Sequence, residues 1–361
     1  MSRGAFSGWR LEPLADVPLR RRALAAASAL TLAALLCGLL FLAAGANPFL
    51  AFAALVKGAF GSWRTATETL VKATPLIFTG LAAAVAFRAR LWNIGAEGQV
   101  FAGAMFAYWV QHGLAGQPMA LQLPVVVLGA MAGGALYAAL AGVLRTAFRI
   151  DEVISTVMLN YIIVYMLSML LLKGPWSEAG GFFEQTAKVD PGSILPALFP
   201  GSRLHLGFLL ALAAAFLVQV LITRTPLGYE IRAMGSNLRA LQVQGTSTVR
   251  IVLVVMALSG LLAGLAGATE VYGVHYRLKS GAVAGYGYAG IVVAILGGLR
   301  PWGVVCAAIL FGALVNGATY MQIATGVPSA LIYAIEAIIL LFYLAGWAAS
   351  GFRLRRAAHV R

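Results

Sequence analysis

Acidic side chains are scarce in this sequence: 12 Asp and Glu stand among 361 residues, and all charged residues together make 11%, where an ordinary soluble domain carries about 25%. That deficit, with 61% hydrophobic residues and a mean hydropathy of +0.88, excludes a water-soluble globular fold. Cysteine is nearly absent as well. Cys37 and Cys306 both fall in apolar runs, with no second Cys or His at ligand spacing, so neither a disulfide nor a zinc site is supported. There is no G-x-x-x-x-G-K-[ST] phosphate loop, no Ser-His-Asp order, no His-Glu-x-x-His and no chain of intramembrane Arg or Asp of the kind a pump uses. An enzyme reading has no anchor, no cofactor is implied, and energy for any driven process has to come from another subunit or an ion gradient.

What the chain does have is long apolar runs. A hydrocarbon core of roughly 30 Å requires about 20 residues per helix, and ten stretches qualify: 23–44, 71–90, 91–110, 121–143, 153–172, 204–222, 249–268, 282–299, 302–320 and 327–347. The fold class expected is an all-α integral membrane protein of about ten transmembrane helices, organised as one transmembrane domain over 1–361, with tails at 1–22 and 348–361. Arg20, Arg21 and Arg22 before the run 23–44 resemble the start of a signal peptide, but 22 apolar residues exceed an h-region of about 7 to 15, which favours an uncleaved first helix. The formal charge of +14 would suggest nucleic acid in a soluble protein. Here the basic residues sit in short gaps between apolar runs, a topology signal rather than a nucleic-acid footprint. With the N-terminus inside, 18 of the 26 Lys and Arg fall on the cytoplasmic side, and an even span count returns the C-terminus to the same side.

Three polar segments interrupt the apolar runs. The first is Trp92-Asn93-Ile94-Gly95-Ala96-Glu97-Gly98-Gln99, where two glycines permit a helix break whose freed backbone groups must face protein or a watery cavity. Asn93, Glu97 and Gln99 read equally as a buried polar knot and as solute contacts on a translocation path. The second runs from Asp151 to Tyr161: Asp151 and Glu152 read as helix capping, while Asn160 and Tyr161 read as helix-to-helix glue or as path lining. The third, Gly285-Tyr286-Gly287-Tyr288-Ala289-Gly290, places Tyr286 and Tyr288 where aromatic faces could stack on a ring-shaped or sugar-like solute, or anchor at the interface. Glu270 with His275, Arg277 and Lys279 reads as a surface ion-pair cluster, and Glu336 as an internal hydrogen-bond partner. A glycine-broken polar segment in each half also suggests an inverted repeat.

The longest inside connection, 223–250, reads TRTPLGYEIRAMGSNLRALQVQGTSTVR. Its spacing predicts two short helices, near 229–234 and 238–243, with Ser236 or Asn237 capping the second. Ile231, Met234, Leu238, Leu241 and Val243 supply an apolar face that could dock into a partner's groove, with Arg232 and Arg239 at its rim.

Four stretches carry a family resemblance: LWNIGAEGQ at 91–99, DEVISTVMLNYI at 151–162, LGYEIRAMGSN at 227–237 and GYGYAGIVVAILGGLRPWG at 285–303. In order and spacing they resemble the permease subunits of bacterial ABC importers for nucleosides and simple sugars, within the group that includes ribose and branched-chain amino acid permeases. The likeness covers roughly 47–347. It implies a type II importer-like fold, an ABC ATPase subunit below, a second permease subunit of a different chain, an extracytoplasmic solute-binding lipoprotein above, and residence in the inner membrane. It also implies that Gly228, Arg232, Ala233, Gly235 and Asn237, with Gly245 closing the loop, form the segment that seats on the ATPase. The rivals from other classes are a channel and an ion-coupled carrier using Glu97, Glu270 or Glu336.

Overall fold

The computed structural model describes residues 9–13, 18–172, 174–178, 180, 183–281, 283–328 and 330–356. The chain is helical nearly throughout. Helices α1 (Leu19–Ala43), α2 (Pro48–Phe60), α3 (Trp63–Arg88), α4 (Ala96–His112), α5 (Met119–Phe148) and α6 (Glu152–Leu172) make the first half. Helices α7 (Gly207–Arg224), α8 (Pro226–Ser236), α9 (Leu238–Val243), α10 (Thr248–Glu270), α11 (Tyr286–Leu296), α12 (Pro301–Thr325) and α13 (Leu331–Ser350) follow. Strands β1 (Trp9–Pro13) and β2 (Phe352–Arg356) pair antiparallel, Trp9 opposite Arg356.

The chain is a multi-pass membrane protein, but the ten-span expectation needs correction. Every expected span falls on a helix, yet among the described residues seven helices are long and apolar enough to cross a bilayer, or eight if α1 and α2, bent by 111°, count as one. The shortfall has two causes. The Asn93-Ile94-Gly95 break delays α4 to residue 96, leaving 17 residues, about 26 Å at 1.5 Å per residue. Glycines on both sides confine α11 to 11 residues, about 16 Å and half a bilayer. An inverted repeat is likewise unsupported, the two broken segments having grown into helices of different length.

Two compact units divide the chain, 1–56 with 317–361, and 57–316. In the first, α1 packs on α13, and Gly346 lies so close to the Ala25 carbonyl that an added Cβ would stand 2.9 Å from its oxygen. The second contains the polar segments. Its centre is α3, buried along 89% of its apolar window, and α10, buried along 72%, ringed by α4, α5, α7 and α11. Small residues set that spacing. A Cβ on Gly134 would meet the Gly260 carbonyl oxygen at 2.1 Å, and one on Gly264 would meet that of Ala130 at 2.1 Å, so α5 and α10 touch backbone to backbone as small-xxx-small pairs allow.

Outside the spans, the connection before α7 is held by Asp190. Its carboxylate accepts from Gly192 N (2.8 Å), Gly116 N (3.2 Å) and Gln122 Nε2 (3.1 Å), and these bonds hold its pKa below the ordinary Asp value. A depressed folded pKa contributes stability that is present above the unfolded value of about 3.9 and lost as pH falls through the folded one. Limited proteolysis of this connection should therefore stay slow down to the ordinary Asp range and accelerate only below it. Asp190→Asn should lose that acid dependence.

Candidate functional site

The break after α3 builds a buried polar centre. Arg90 turns the chain out of the helix in the left-handed region, φ 55°, and Asn93 then folds back on itself, its Oδ1 accepting from Gly95 N at 2.9 Å. The Asn93 amide donates to Gln99 Oε1 (3.0 Å) and to Ser259 Oγ on α10 (2.9 Å), and Gln99 Nε2 returns a bond to Asn93 Oδ1 (3.0 Å). Ser259 Oγ in turn donates to the Ala82 carbonyl of α3 at 2.8 Å. Asn160 on α6 accepts from Gly98 N (2.8 Å) and donates to the Ile94 carbonyl (3.0 Å) and the Tyr288 hydroxyl (3.2 Å). Gly98 is required for that approach, since a Cβ there would stand 2.8 Å from Asn160 Oδ1.

Glu97 completes the centre. Its carboxylate is 4% exposed and accepts from Gly285 N at 2.5 Å and Gly287 N at 2.8 Å. Both donors sit at the N-terminus of α11, where unpaired amides and the helix dipole favour an anion. Gly285 stands in the left-handed region, φ 91°, and a Cβ on Gly287 would be 2.2 Å from Glu97 N. Only glycine lets these two helix starts meet.

Of the seven path candidates, Asn93, Glu97, Gln99 and Asn160 are thus brought into one hydrogen-bonded centre, each buried. Tyr288, a residue 43% exposed, joins it through its hydroxyl; Tyr286 is half-buried on the same turn. Tyr161, by contrast, is 54% exposed. Ser259 was not singled out by sequence: a lone hydroxyl in the apolar run of α10 was its only signal. Ser259→Ala should cost about 1–3 kcal/mol by leaving the buried Asn93 amide short of an acceptor, read as a lower melting temperature in detergent.

Asp151 caps α6, accepting from Val153 N at 2.8 Å, whereas Glu152 pairs with Arg145 and accepts from Trp92 N. The surface cluster expected around Glu270 is corrected. Glu270 is 1% exposed and faces His275 at 3.3 Å, while Arg277 pairs separately with Glu178. Glu336 lies on α13, and its side chain falls outside the described residues.

The 223–250 connection forms the expected helix pair. Thr225 Oγ1 accepts from Gly228 N and Pro226 takes the first turn of α8, a favoured helix start. Asn237 closes α8, and its carbonyl accepts from Leu241 N of α9. Ile231, Met234 and Leu241 are buried within this chain, which removes them from the expected docking face. Exposed there are Tyr229, Arg232, Leu238 and Val243. Gly228 and Gly235 lie against the carbonyls of Leu221 and Arg88, each leaving 2.0 Å for a Cβ, and Ala233 between them is half-buried. Gly245 makes an open left-handed turn, φ 79°, before α10.

The family described as branched-chain amino acid transport system / permease component matches residues 65–344, a range containing the polar centre and the helix pair alike. The chain belongs to this family. Among its relatives, the guanosine ABC transporter permease protein NupP of Bacillus subtilis is 39% identical over 86% of this chain and 89% of its own. The nucleoside ABC transporter permease protein NupB of Lactococcus lactis is 34% identical over 89% of this chain and 90% of its own. The glucose ABC transporter permease protein TsgB13 of Haloferax volcanii is 34% identical over 85% of this chain and 83% of its own. No solved structure matches the chain significantly.

Proposed function

We propose that this permease moves nucleosides through the membrane as one subunit of an ATP-driven importer, Tyr286 and Tyr288 presenting aromatic faces to the base. The observation that carries the reading is the identity with two permeases named for guanosine and nucleosides over nearly their full length. The exposed Tyr288, oriented by Asn160, adds a chemistry suited to a planar base. In this reading Asn93, Glu97, Gln99 and Asn160 line the path by shaping it rather than by touching solute, because their polar atoms already bond one another and the α11 backbone.

The ATPase is a separate subunit that seats on α8 and α9 at the exposed Arg232 and Asn237, while Gly228, Ala233 and Gly235 hold α8 against this chain's own core. The other partners are a second, different permease chain and an extracytoplasmic binding lipoprotein. Counting α4 as a crossing, and α11 together with the connection that leads into it as another, restores ten crossings alongside the eight spans. An even number leaves both tails in the cytoplasm, in agreement with the Lys and Arg bias. The chain then acts as one permease domain in the inner membrane. A simple sugar is the second solute class, favoured by the glucose permease relative. An ion-coupled carrier is disfavoured because both Glu97 oxygens are committed to backbone amides.

Purification of the chain from its own cells tests this reading. An ATPase and a second permease should accompany it, and with the binding protein present, nucleosides should stimulate ATP hydrolysis more than sugars do. Solute accumulation in vesicles holding this chain alone would overturn it.

A further inference from the structure

The apolar exterior of the larger unit is interrupted by a groove of about 320 Å³ between α3, α5, α7 and α10. Every residue lining it is aliphatic or Met, among them Val85, Met131, Leu210, Leu221 and Leu262. Along α7 it extends from Leu210 to Leu221, about 16 Å, which matches one leaflet of a hydrocarbon core of roughly 30 Å. Its walls α5 and α7 are each buried along only 33% of their apolar windows, so the groove opens toward lipid.

Helix α8 crosses below one end of this groove, its start against the Leu221 carbonyl and its end against the Arg88 carbonyl. That end is strongly basic. Arg224 stands one turn beyond Leu221 on α7 and is exposed. Arg88 stands one turn beyond Val85 on α3, close enough to Arg232 and Arg300 for mutual repulsion. None of the ion pairs among the described residues uses any of these four. Arg88 donates to the Leu299 carbonyl at 2.8 Å; an aliphatic slot one leaflet deep, ending at guanidinium groups that no carboxylate among the described residues pairs, is complementary to one ligand class.

We infer that this groove and the arginines at its end form a binding site for an anionic phospholipid, an acyl chain lying between α3, α5, α7 and α10 and the phosphate facing Arg224 and Arg232. The leaflet is the one bearing 223–250, cytoplasmic under the orientation proposed above; the site itself does not depend on the transported solute. Because Arg232 belongs to the segment proposed to seat the ATPase, a lipid held there would also brace α8 against α7.

Native mass spectrometry of the full-length chain, purified with the subunits that accompany it and titrated with phosphatidylglycerol or phosphatidylcholine, tests the site. Phosphatidylglycerol should be retained at least about tenfold more strongly, the scale expected for two arginines at the membrane surface. Ala213→Trp, which fills the groove from an exposed position, should remove one bound phospholipid. Arg224→Gln should keep the lipid while reducing the headgroup preference. Equal retention by both variants and the unaltered chain would overturn the proposal. Loss of the second permease subunit, in place of a lipid, from Ala213→Trp would overturn it too, because the groove would then be a protein interface. Both readouts are independent of nucleoside uptake, so they separate failure of the lipid site from failure of the transport reading.

Discussion

Glu97→Ala should reduce solute uptake by tenfold or more while leaving a chain that still inserts. The carboxylate accepts two backbone N–H groups at the start of α11, bonds to a charged acceptor worth about 1.5–3 kcal/mol each. Alanine leaves both donors without a partner in a site from which water is excluded. Helix α11 packs along α3, Gly290 against Thr79, but its starting turn is fixed by these two bonds: left-handed glycines flank the helix at Gly285 and Gly298, and 11 residues are too few to span the membrane. A loss of about 3 kcal/mol at that joint corresponds to roughly a hundredfold shift in how often the joint is formed, and Tyr286 and Tyr288 move with it. Glu97→Gln separates geometry from charge, since its single carbonyl oxygen can accept from one amide; it should retain an intermediate rate. Uptake measured beside melting temperature distinguishes a displaced half-helix from a collapsed fold. Uptake at the unaltered rate in Glu97→Ala would show that α11 is positioned by something else.

Apolar runs located α1, α3 to α7 and α10 to α13, because about twenty apolar residues in a row have few alternatives in a bilayer. It could not say which of them cross. That depends on where a helix starts, and the starts of α4 and α11 are set by tertiary bonds: Asn160 to Gly98 N, and Glu97 to Gly285 and Gly287 N. The pairs are 62 and 188–190 residues apart in sequence, beyond any local pattern. The same distance explains why the polar segments were visible as unusual while their roles were not. A carboxylate in an apolar run signals cost but does not name its partner, and Glu270 was accordingly placed at the surface when it is buried beside His275. In 223–250 the two helices were legible from Pro226, Gly228 and the apolar spacing. Which apolar residues face inward was not, since Ile231, Met234 and Leu241 serve this chain's own core.

Two glycines of that same segment should answer substitution in opposite ways. Gly235 has φ in the ordinary helical range and no space: a Cβ would lie 2.0 Å from the Arg88 carbonyl oxygen, backbone that cannot swing aside as a side-chain tip can. Gly235→Leu must therefore lever α8 away from the end of α3, and in a rigidly packed interface such overpacking costs typically 1–3 kcal/mol, occasionally more. Gly245 has space and the wrong φ for other residues: nothing lies within 4 Å, but φ is 79°. Gly245→Ala should cost about 1–2 kcal/mol of left-handed strain, and Gly245→Asn, which tolerates that region, distinctly less. If α8 transmits the ATPase's work, Gly235→Leu should abolish ATP-dependent uptake and uncouple solute-stimulated ATP hydrolysis at unchanged membrane levels, while Gly245→Asn transports normally. A Gly235→Leu permease with full uptake would mean that close contact between α8 and α3 carries no work, and an ion-coupled carrier would regain its standing.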